Sequence, residues 1–424
     1  MSPKSARAPG HVAVVGAGIV GLSTAWFLQE RGVAVTVLER SAVAAGSSWG
    51  NAGWITPGMA VPLAEPSVLR HGVKAVLDPA APLHIPLTAD PQLWAFLLRL
   101  AARCTLSTWR RTLAAMVPVN RLALDAYDEL EAGSDLARRT LRGPVMAAFR
   151  EPAHAEGLLR EFALVREAGL DLEFGDVDGA ALRSVAPACS PQVSRAIRID
   201  GQRFLEPDAF VTGLADAVRA RGADLREGAE VSRLRHGPGG IAVDVVGDSP
   251  VRTDAVVLAT GAWLPRLARA HGVRVSLRAG RGYSFSVPMP QVDGARGVQV
   301  PVYFARERVV CTPLGERLRV GGTMEFRGAE APLDPARIEA IVASARPMVS
   351  GLDLDDRADE WVGARPITVD GLPLVGATAV PGVWVHGGHG MWGMCLGPAT
   401  ARLLADQMVS GRVPPELRPF VPTR

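Results

Sequence analysis

Residues 12–32, reading VAVVGAGIVGLSTAWFLQERG, constrain this chain more than any other stretch. Gly16, Gly18 and Gly21 stand at G-x-G-x-x-G spacing directly after Val12, Ala13, Val14 and Val15, a short apolar run of the kind that forms a strand buried on both faces. The glycines interrupt the apolar stretch and no small-residue cleavage site follows it. That excludes a membrane span, which needs roughly 20 mostly apolar residues, and a secretory leader. IVGLSTAWFLQERG then has helical spacing and stops at Gly32, the expected C-cap. VAVTVLER supplies a second buried strand ending at Glu39, about 20 residues on, where an acid meets a ribose hydroxyl. The stretch therefore reads as a βαβ unit that binds a dinucleotide. One glycine permits the tight turn, one lets backbone approach a pyrophosphate, and one lets helix pack on strand. The helix N-terminus at residues 19–21 offers free N–H groups and a positive dipole end to the phosphates. Arg40 borders the same site. The acid beside it repels a 2′-phosphate, so Arg40 reads as a solvated surface residue.

The chain has 424 residues, enough for two domains or one elaborate one. Its 48% hydrophobic and 21% charged residues are those of a soluble globular protein, and a net charge of +3 is too small to imply nucleic acid. Lysine occurs only at Lys4 and Lys74, a compositional bias toward arginine. Cys104, Cys189, Cys311 and Cys395 are widely separated, with no metal-ligand spacing, so buried thiols in the reducing cytoplasm are expected. Pro-rich loops at 59–66 and 79–91 precede two or three amphipathic helices within 92–133, read as a cap or scaffold for a substrate domain. Trp94, Phe96 and Trp109 interleave there with Arg99, Arg103, Arg110 and Arg111, which leaves a peripheral place on the inner face of the cell membrane open.

The α/β pattern then returns. A helix with Asp208 as its expected N-cap precedes a strand around 230–234, and DAVVLATGAW gives a buried strand at 255–258 that runs into a turn at Thr260 and Gly261. A small-residue turn at the carboxyl end of a parallel strand is where a nucleotide lies in an open α/β sheet. Near the C-terminus a strand at 383–386, a glycine-rich loop and a helix over 397–408 repeat the arrangement. A second glycine loop feeding a helix points to a cofactor larger than nicotinamide dinucleotide, with positive potential delivered to a flavin ring.

Four segments resemble the glycine oxidase/D-amino-acid oxidase superfamily of FAD enzymes: the opening unit through VLER, the loop GSSWGNAGWITPG, the strand AVVLATGAW, and the tail from GARPITVDGLPLVG to GGHGMWGMCLGPATARLLADQM. Within it the chain looks most like the bacterial D-amino acid dehydrogenase group (small subunit), through the N-A-G-x-I-x-P-G loop, PLAEP and RAGRGYSFSV. The likeness runs nearly end to end and is thinnest over 141–203. It implies an α/β fold: an FAD-binding Rossmann-like domain of glutathione-reductase type, interleaved with an α+β substrate domain of antiparallel sheet and helices. The expected division is 9–80, 196–275 and 346–424 for FAD, and 81–195 and 276–345 for substrate.

The resemblance assigns Gly16, Gly18 and Gly21 to the pyrophosphate turn, Glu39 to the ribose, and Ser47, Ser48 and Asn51 to the loop around the flavin. It assigns Val231 to the adenine, Thr260 and Gly261 to the second nucleotide turn, and Gly388, His389, Gly390, Met391 and Gly393 to the loop against the isoalloxazine. Arg365 falls where the family pairs an arginine with the substrate carboxylate, a role that suits a bidentate guanidinium fork. The alternative for Arg365 is a structural salt bridge. Tyr303, or Tyr283, adds a hydroxyl contact or is a packed aromatic, and His389 bonds the flavin or fills the loop. The implied chemistry is hydride transfer from the substrate Cα–H to flavin N5, giving an imino acid and then a 2-oxo acid, with electrons passed to a quinone or carrier. Bulky Trp49, Trp54 and Trp392, and Met394 in place of an aromatic, depart from the family pattern. No His or Cys stands where a covalent flavin link forms, so FAD is expected to be dissociable. Two further functions fit the same residues: an oxidase of glycine, sarcosine or D-amino acids, and a flavin-binding subunit of an oligomeric, partner-dependent complex.

Overall fold

The computed structural model describes residues 8–66, 76, 78, 81–134, 136 and 139–424. Lys4, Arg7, Lys74 and Pro79 lie outside them. The opening unit forms as its spacing dictates: strand His11–Val15, helix Ile19–Glu30, strand Ala34–Leu38. Gly32 follows the helix with φ +75, one residue past the cap at Arg31. Six strands make the first sheet, in the order Asp224–Arg226, Ala34–Leu38, His11–Val15, Ala255–Leu258, Val383–Gly387, Leu374–Ala377. All pairs are parallel except the last. Helices Ile19–Glu30, Pro207–Ala220 and Gly393–Ser410 share one apolar core beneath it. The antiparallel meander Val231–Gly237, Gly240–Val245, Val251–Thr253 packs with the other face.

A second sheet has nine strands. Its path runs Ala358–Thr368, Leu277–Pro288, Arg317–Phe326, Val309–Leu314, Val302–Phe304, Val145–Phe149, Arg195–Ile199, Phe174–Asp178, and Leu83–His84 pairs with Arg317–Phe326. It is antiparallel apart from two parallel pairings. Helix Pro335–Ala345 covers one face, and helix Ala155–Glu167 joins an apolar cluster on the other with Trp109, Phe149 and Ile197.

The sheets divide the chain differently from the expected boundaries. Strands Arg195–Ile199 and Ala358–Thr368 were expected with the nucleotide domain but belong to the nine-stranded sheet. Helices Leu106–Asn120 and Ala123–Ala132, expected with the substrate domain, bury Met116, Val119, Ala126 and Tyr127 in the core beneath the six-stranded sheet. Pairing between distant strands decides membership, and hydrophobic periodicity carries no information about distant partners. Phe96 and Trp109 are core residues, 1% and 3% exposed, which removes them from any membrane face. Asp208 is not the cap of its helix: Glu206 holds that position with Pro207 at the first turn, and Asp208 lies one residue inside. The last helix begins at Gly393, earlier than the spacing suggested, and carries Pro398 in its interior.

Close approach explains Gly21. A Cβ there would stand 1.9 Å from the Gly16 carbonyl oxygen, so the helix reaches the strand only without a side chain. Gly157, inside helix Ala155–Glu167, has open space around its Cβ position. We expect Gly21→Ala to lose roughly 1–3 kcal/mol as overpacking does, and Gly157→Ala to gain roughly 0.5–1 kcal/mol of helix propensity. Thermal unfolding of the two variants should move Tm in opposite directions.

Candidate active site

The sheets meet around one cavity of about 1120 Å³, lined from the nucleotide turns to the nine-stranded sheet. That exceeds the roughly 300–1,000 Å³ of an ordinary small-molecule pocket. It suits a dinucleotide together with a small substrate.

At one end lie Gly16, Gly18, Glu39, Val231, Thr260 and Gly261. Gly16 has φ +111, and a Cβ would meet the Ala259 carbonyl oxygen at 2.6 Å, so two βα turns touch through backbone alone. The Glu39 carboxylate accepts from the amides of Ala17 at 2.8 Å and Ser41 at 3.0 Å. These bonds fix its position and leave lone pairs for further donors. The Thr260 hydroxyl is buried beside the cavity with no partner among the described residues. Arg40 is exposed, as its neighbouring acid implied, but it is not free. It stacks 4.0 Å over Trp263 and pairs at 3.2 Å with Glu330, which Arg266 also holds at 2.8 Å.

The loop at 47–54 clasps the two sheets together. Ser47 Oγ donates to the Ala364 carbonyl at 2.5 Å, Ser284 Oγ to that of Gly50 at 2.6 Å, and Thr312 Oγ1 to that of Ala52 at 2.9 Å. Ser48 Oγ accepts from the Ile19 amide at 3.1 Å, at the first helix's N-terminus. Asn51 lines the cavity, but its amide serves the loop itself, donating to Ser48 O at 2.7 Å and accepting from Gly53 N at 2.7 Å. Trp54 and Trp392 line the cavity, each held by its indole N–H, to Thr312 Oγ1 and to Val61 O. Trp49 instead packs against the core and lies 5.3 Å from the Arg319 guanidinium.

In the C-terminal loop, His389, Gly390, Met391 and Gly393 line the cavity. Gly388 does not: with φ +70, its Cβ position meets Thr368 at 2.9 Å, so its role is packing behind the loop. His389 Nε2 and His386 Nε2 both lie on Thr400 Oγ1, at 2.9 and 2.8 Å, and that hydroxyl also lies 2.9 Å from Leu396 O. A hydroxyl has one proton. Given to Leu396 O, it leaves lone pairs that accept an Nε2–H from each imidazole. Burial pushes His389 down to about 3 and His386 well below its ordinary value, so both rings are neutral.

Arg365 lies on strand Ala358–Thr368, opposite Gly280. No carboxylate pairs with it among the described residues, so the salt-bridge alternative fails. Removal from water pushes its guanidinium down to about 10, so it remains charged at neutral pH. A Cβ at Gly282 would stand 2.0 Å from Nη2, showing that the guanidinium lies directly over that glycine. Its Nη1 is 3.5 Å from the carbonyl of Thr323, a β-branched residue at φ +53 whose hydroxyl is buried without a partner. Such a conformation costs roughly 1–3 kcal/mol and marks functional sites. Sequence reasoning passed over both Gly282 and Thr323, because neither residue type signals chemistry by itself.

Beyond Arg365 the cavity opens into a chamber walled by Trp54, Trp109, Phe149, Leu158, Leu164, Tyr303 and Trp392. Tyr303 lines it, and its hydroxyl accepts from Arg308 Nη1 at 3.1 Å, while Arg308 Nη2 pairs with Glu65 at 3.3 Å. Tyr283 is committed elsewhere, donating to the buried Glu325 at 2.6 Å. Glu161, which the sequence did not announce, also lines the chamber.

These residues fit FAD: bare backbone at the crossed turns, a fixed carboxylate at the strand end, a helix N-terminus, and orphaned hydroxyls beside an oversized cavity. Residues 11–407 match the family model described as DAO, FAD dependent oxidoreductase. The chain is 33% identical over 406 residues to a D-amino acid dehydrogenase of Cereibacter sphaeroides, covering 95% of this chain and 92% of that protein. It is 29% identical to a protein of the same name from Azorhizobium caulinodans, covering 95% and 97%. The glycine oxidase structure from Geobacillus kaustophilus shares the fold, with TM-score 0.72 and 23% identity over 99% of both chains.

The histidine network carries its own test. Imidazole ¹⁵N chemical shifts should show His386 and His389 as neutral Nε2–H tautomers that do not titrate between about pH 5 and 9, as burial at these positions dictates. A titration of either ring in that window would contradict the assignment.

Proposed function

Because this chain belongs to the DAO family of FAD-dependent oxidoreductases, we propose that it oxidises D-amino acids, passing the electrons to a quinone or protein carrier. The observation that carries this reading is the unpaired guanidinium of Arg365, held at the junction of the nucleotide cradle and the aromatic chamber.

Gly16, Gly18, Gly21, Glu39, Val231 and Thr260 hold the nucleotide half of the cofactor, and Ser48, Asn51, Gly390, Met391 and Gly393 border its flavin. Bound there, FAD supplies the two-electron acceptor for oxidation at an amino acid α-carbon. The protein's own contribution is orientation. Arg365 forks the substrate carboxylate through two charge-assisted bonds, which fixes where the α-carbon and its hydrogen point. Neutral His386 and His389 place no second positive charge nearby to compete for that carboxylate. Trp54, Trp392 and Tyr303 exclude water from the substrate side and receive the side chain.

Among the described residues no helix is long and apolar enough to cross a membrane. Leu87, Leu98 and Leu106 are exposed at 76%, 71% and 47%, and Leu106 also lines the cavity. A peripheral seat on a membrane through exposed leucines of this kind, with a quinone as acceptor, is part of the same proposal.

Steady-state turnover with a dye acceptor tests the clamp. Arg365→Ala should raise KM for a D-amino acid about 100-fold, as expected for roughly 3 kcal/mol of lost charge-assisted bonding. Gly282→Ala, by pushing the guanidinium aside, should raise KM in the same direction while Arg365 is still present. An unchanged KM in Arg365→Ala would refute the carboxylate role.

A further inference from the structure

The aromatic chamber ends in a charged group that the reading above does not use. On helix Ala155–Glu167, residues Gly157, Leu158, Glu161 and Leu164 line the cavity together, as positions three and four apart must. Leu158 and Leu164 continue the apolar wall, and Glu161 is the one carboxylic acid among these four. It has no hydrogen bond and no ion pair among the described residues. The neighbouring charges are already committed to one another: Arg308 pairs with Glu65 at 3.3 Å and donates to Tyr303 at 3.1 Å. Arg160 and Arg306, at the same mouth, are exposed to solvent. Arg308 is shared among Glu65, Tyr303 and Glu161, and Glu161 is the acid of this group left without a hydrogen bond or ion pair among the described residues. Burial, with Glu65 beside it, pushes the Glu161 carboxyl up to about 7 against the opposing pull of Arg308. An acid in such a place gains its full charge when a cation arrives to balance it.

Resting on the amino-acid reading above, we propose that Glu161 forms a specificity subsite for substrates whose side chain ends in an ammonium or guanidinium group. The two ends of the cavity then read the two ends of one molecule. Arg365 takes the carboxylate, the walls of Trp54, Trp109, Phe149 and Leu158 take the methylene stem, and Glu161 takes the cationic tip. Long cationic side chains bury their stems against apolar surface while keeping the charged head solvated or paired, and aromatic walls add attraction for a cation.

Non-oxidisable ligands test the subsite independently of turnover. Binding of 4-aminobutanoate, 5-aminopentanoate and 6-aminohexanoate to the FAD-loaded protein would be measured by calorimetry, beside the alkanoate and the dicarboxylate of each length. One ω-amino acid should bind at least about tenfold tighter than its alkanoate. Glu161→Gln should erase that excess while leaving the alkanoate Kd within about threefold, and Glu161→Leu should favour the alkanoate. Circular dichroism and Tm confirm that each variant is folded. Equal binding of ω-amino acid and alkanoate at every length, tighter binding of a dicarboxylate, or an excess that survives Glu161→Gln would overturn the subsite. Anaerobic mixing with D-lysine, D-arginine and D-norleucine separates the two readings. Failure of all three to reduce the flavin would sink the oxidation of D-amino acids, and the ligand series would still decide the role of Glu161.

Discussion

A guanidinium held inside a cavity without a carboxylate to balance it is costly, because a buried charge left unpaired is worth several kcal/mol against the fold. This protein maintains that state at Arg365 through rigid surroundings. Strand Ala358–Thr368 fixes the backbone by pairing along strand Leu277–Pro288, and Gly282 on the partner strand leaves the space that the guanidinium fills. Thr323 brings its carbonyl toward the same group at the expense of a left-handed backbone. A guanidinium held in place before any ligand binds is preorganised for an anion, and orientation then comes at little further entropic cost.

The clamp is useful only because it stands beside the nucleotide cradle, and the loop at 47–54 keeps it there. Its hydrogen bonds reach strands Ala358–Thr368, Leu277–Pro288 and Val309–Leu314 of the nine-stranded sheet, while Ser48 binds the N-terminus of the first helix of the six-stranded one. A Cβ at Gly50 would stand 2.3 Å from the Trp361 ring, so the clasp closes without a side chain at that point. On the far side, the buried set Thr24, His386, Thr400 and His389 ties the C-terminal loop to the same helix. Thr400 Oγ1 receives both imidazoles, so the two rings are held in one geometry although His389 Nδ1 is left without a partner among the described residues.

Much of the nucleotide half was legible in the sequence because its signals are local. Gly16, Gly18, Gly21 and Glu39 sit within one βαβ unit, and each is demanded by a turn, a close contact or a strand end. Thr260 and the loop at 388–393 carry local signals of the same kind, although Gly388 packs behind the loop and Asn51 braces its own backbone. The substrate half was less legible. Its sheet is assembled from strands far apart in the chain, so the memberships of 195–199 and 358–368 were misread. Helices 106–120 and 123–132 were amphipathic in either location. Gly282, Thr323 and Glu161 acquire meaning only from what distant strands and helices place beside them.

On the proposal made above, the clamp and the cradle form one oxidising site for amino acids of a single hand. Anaerobic mixing of the FAD-loaded protein with the two enantiomers of one amino acid, followed at the visible flavin band, tests it most directly. Three anchored directions at the α-carbon distinguish mirror images. Bleaching by the D-enantiomer is expected, with colour restored by an added dye or quinone. Bleaching by the L-enantiomer alone, or by neither while a 2-hydroxy acid bleaches the band, would contradict it.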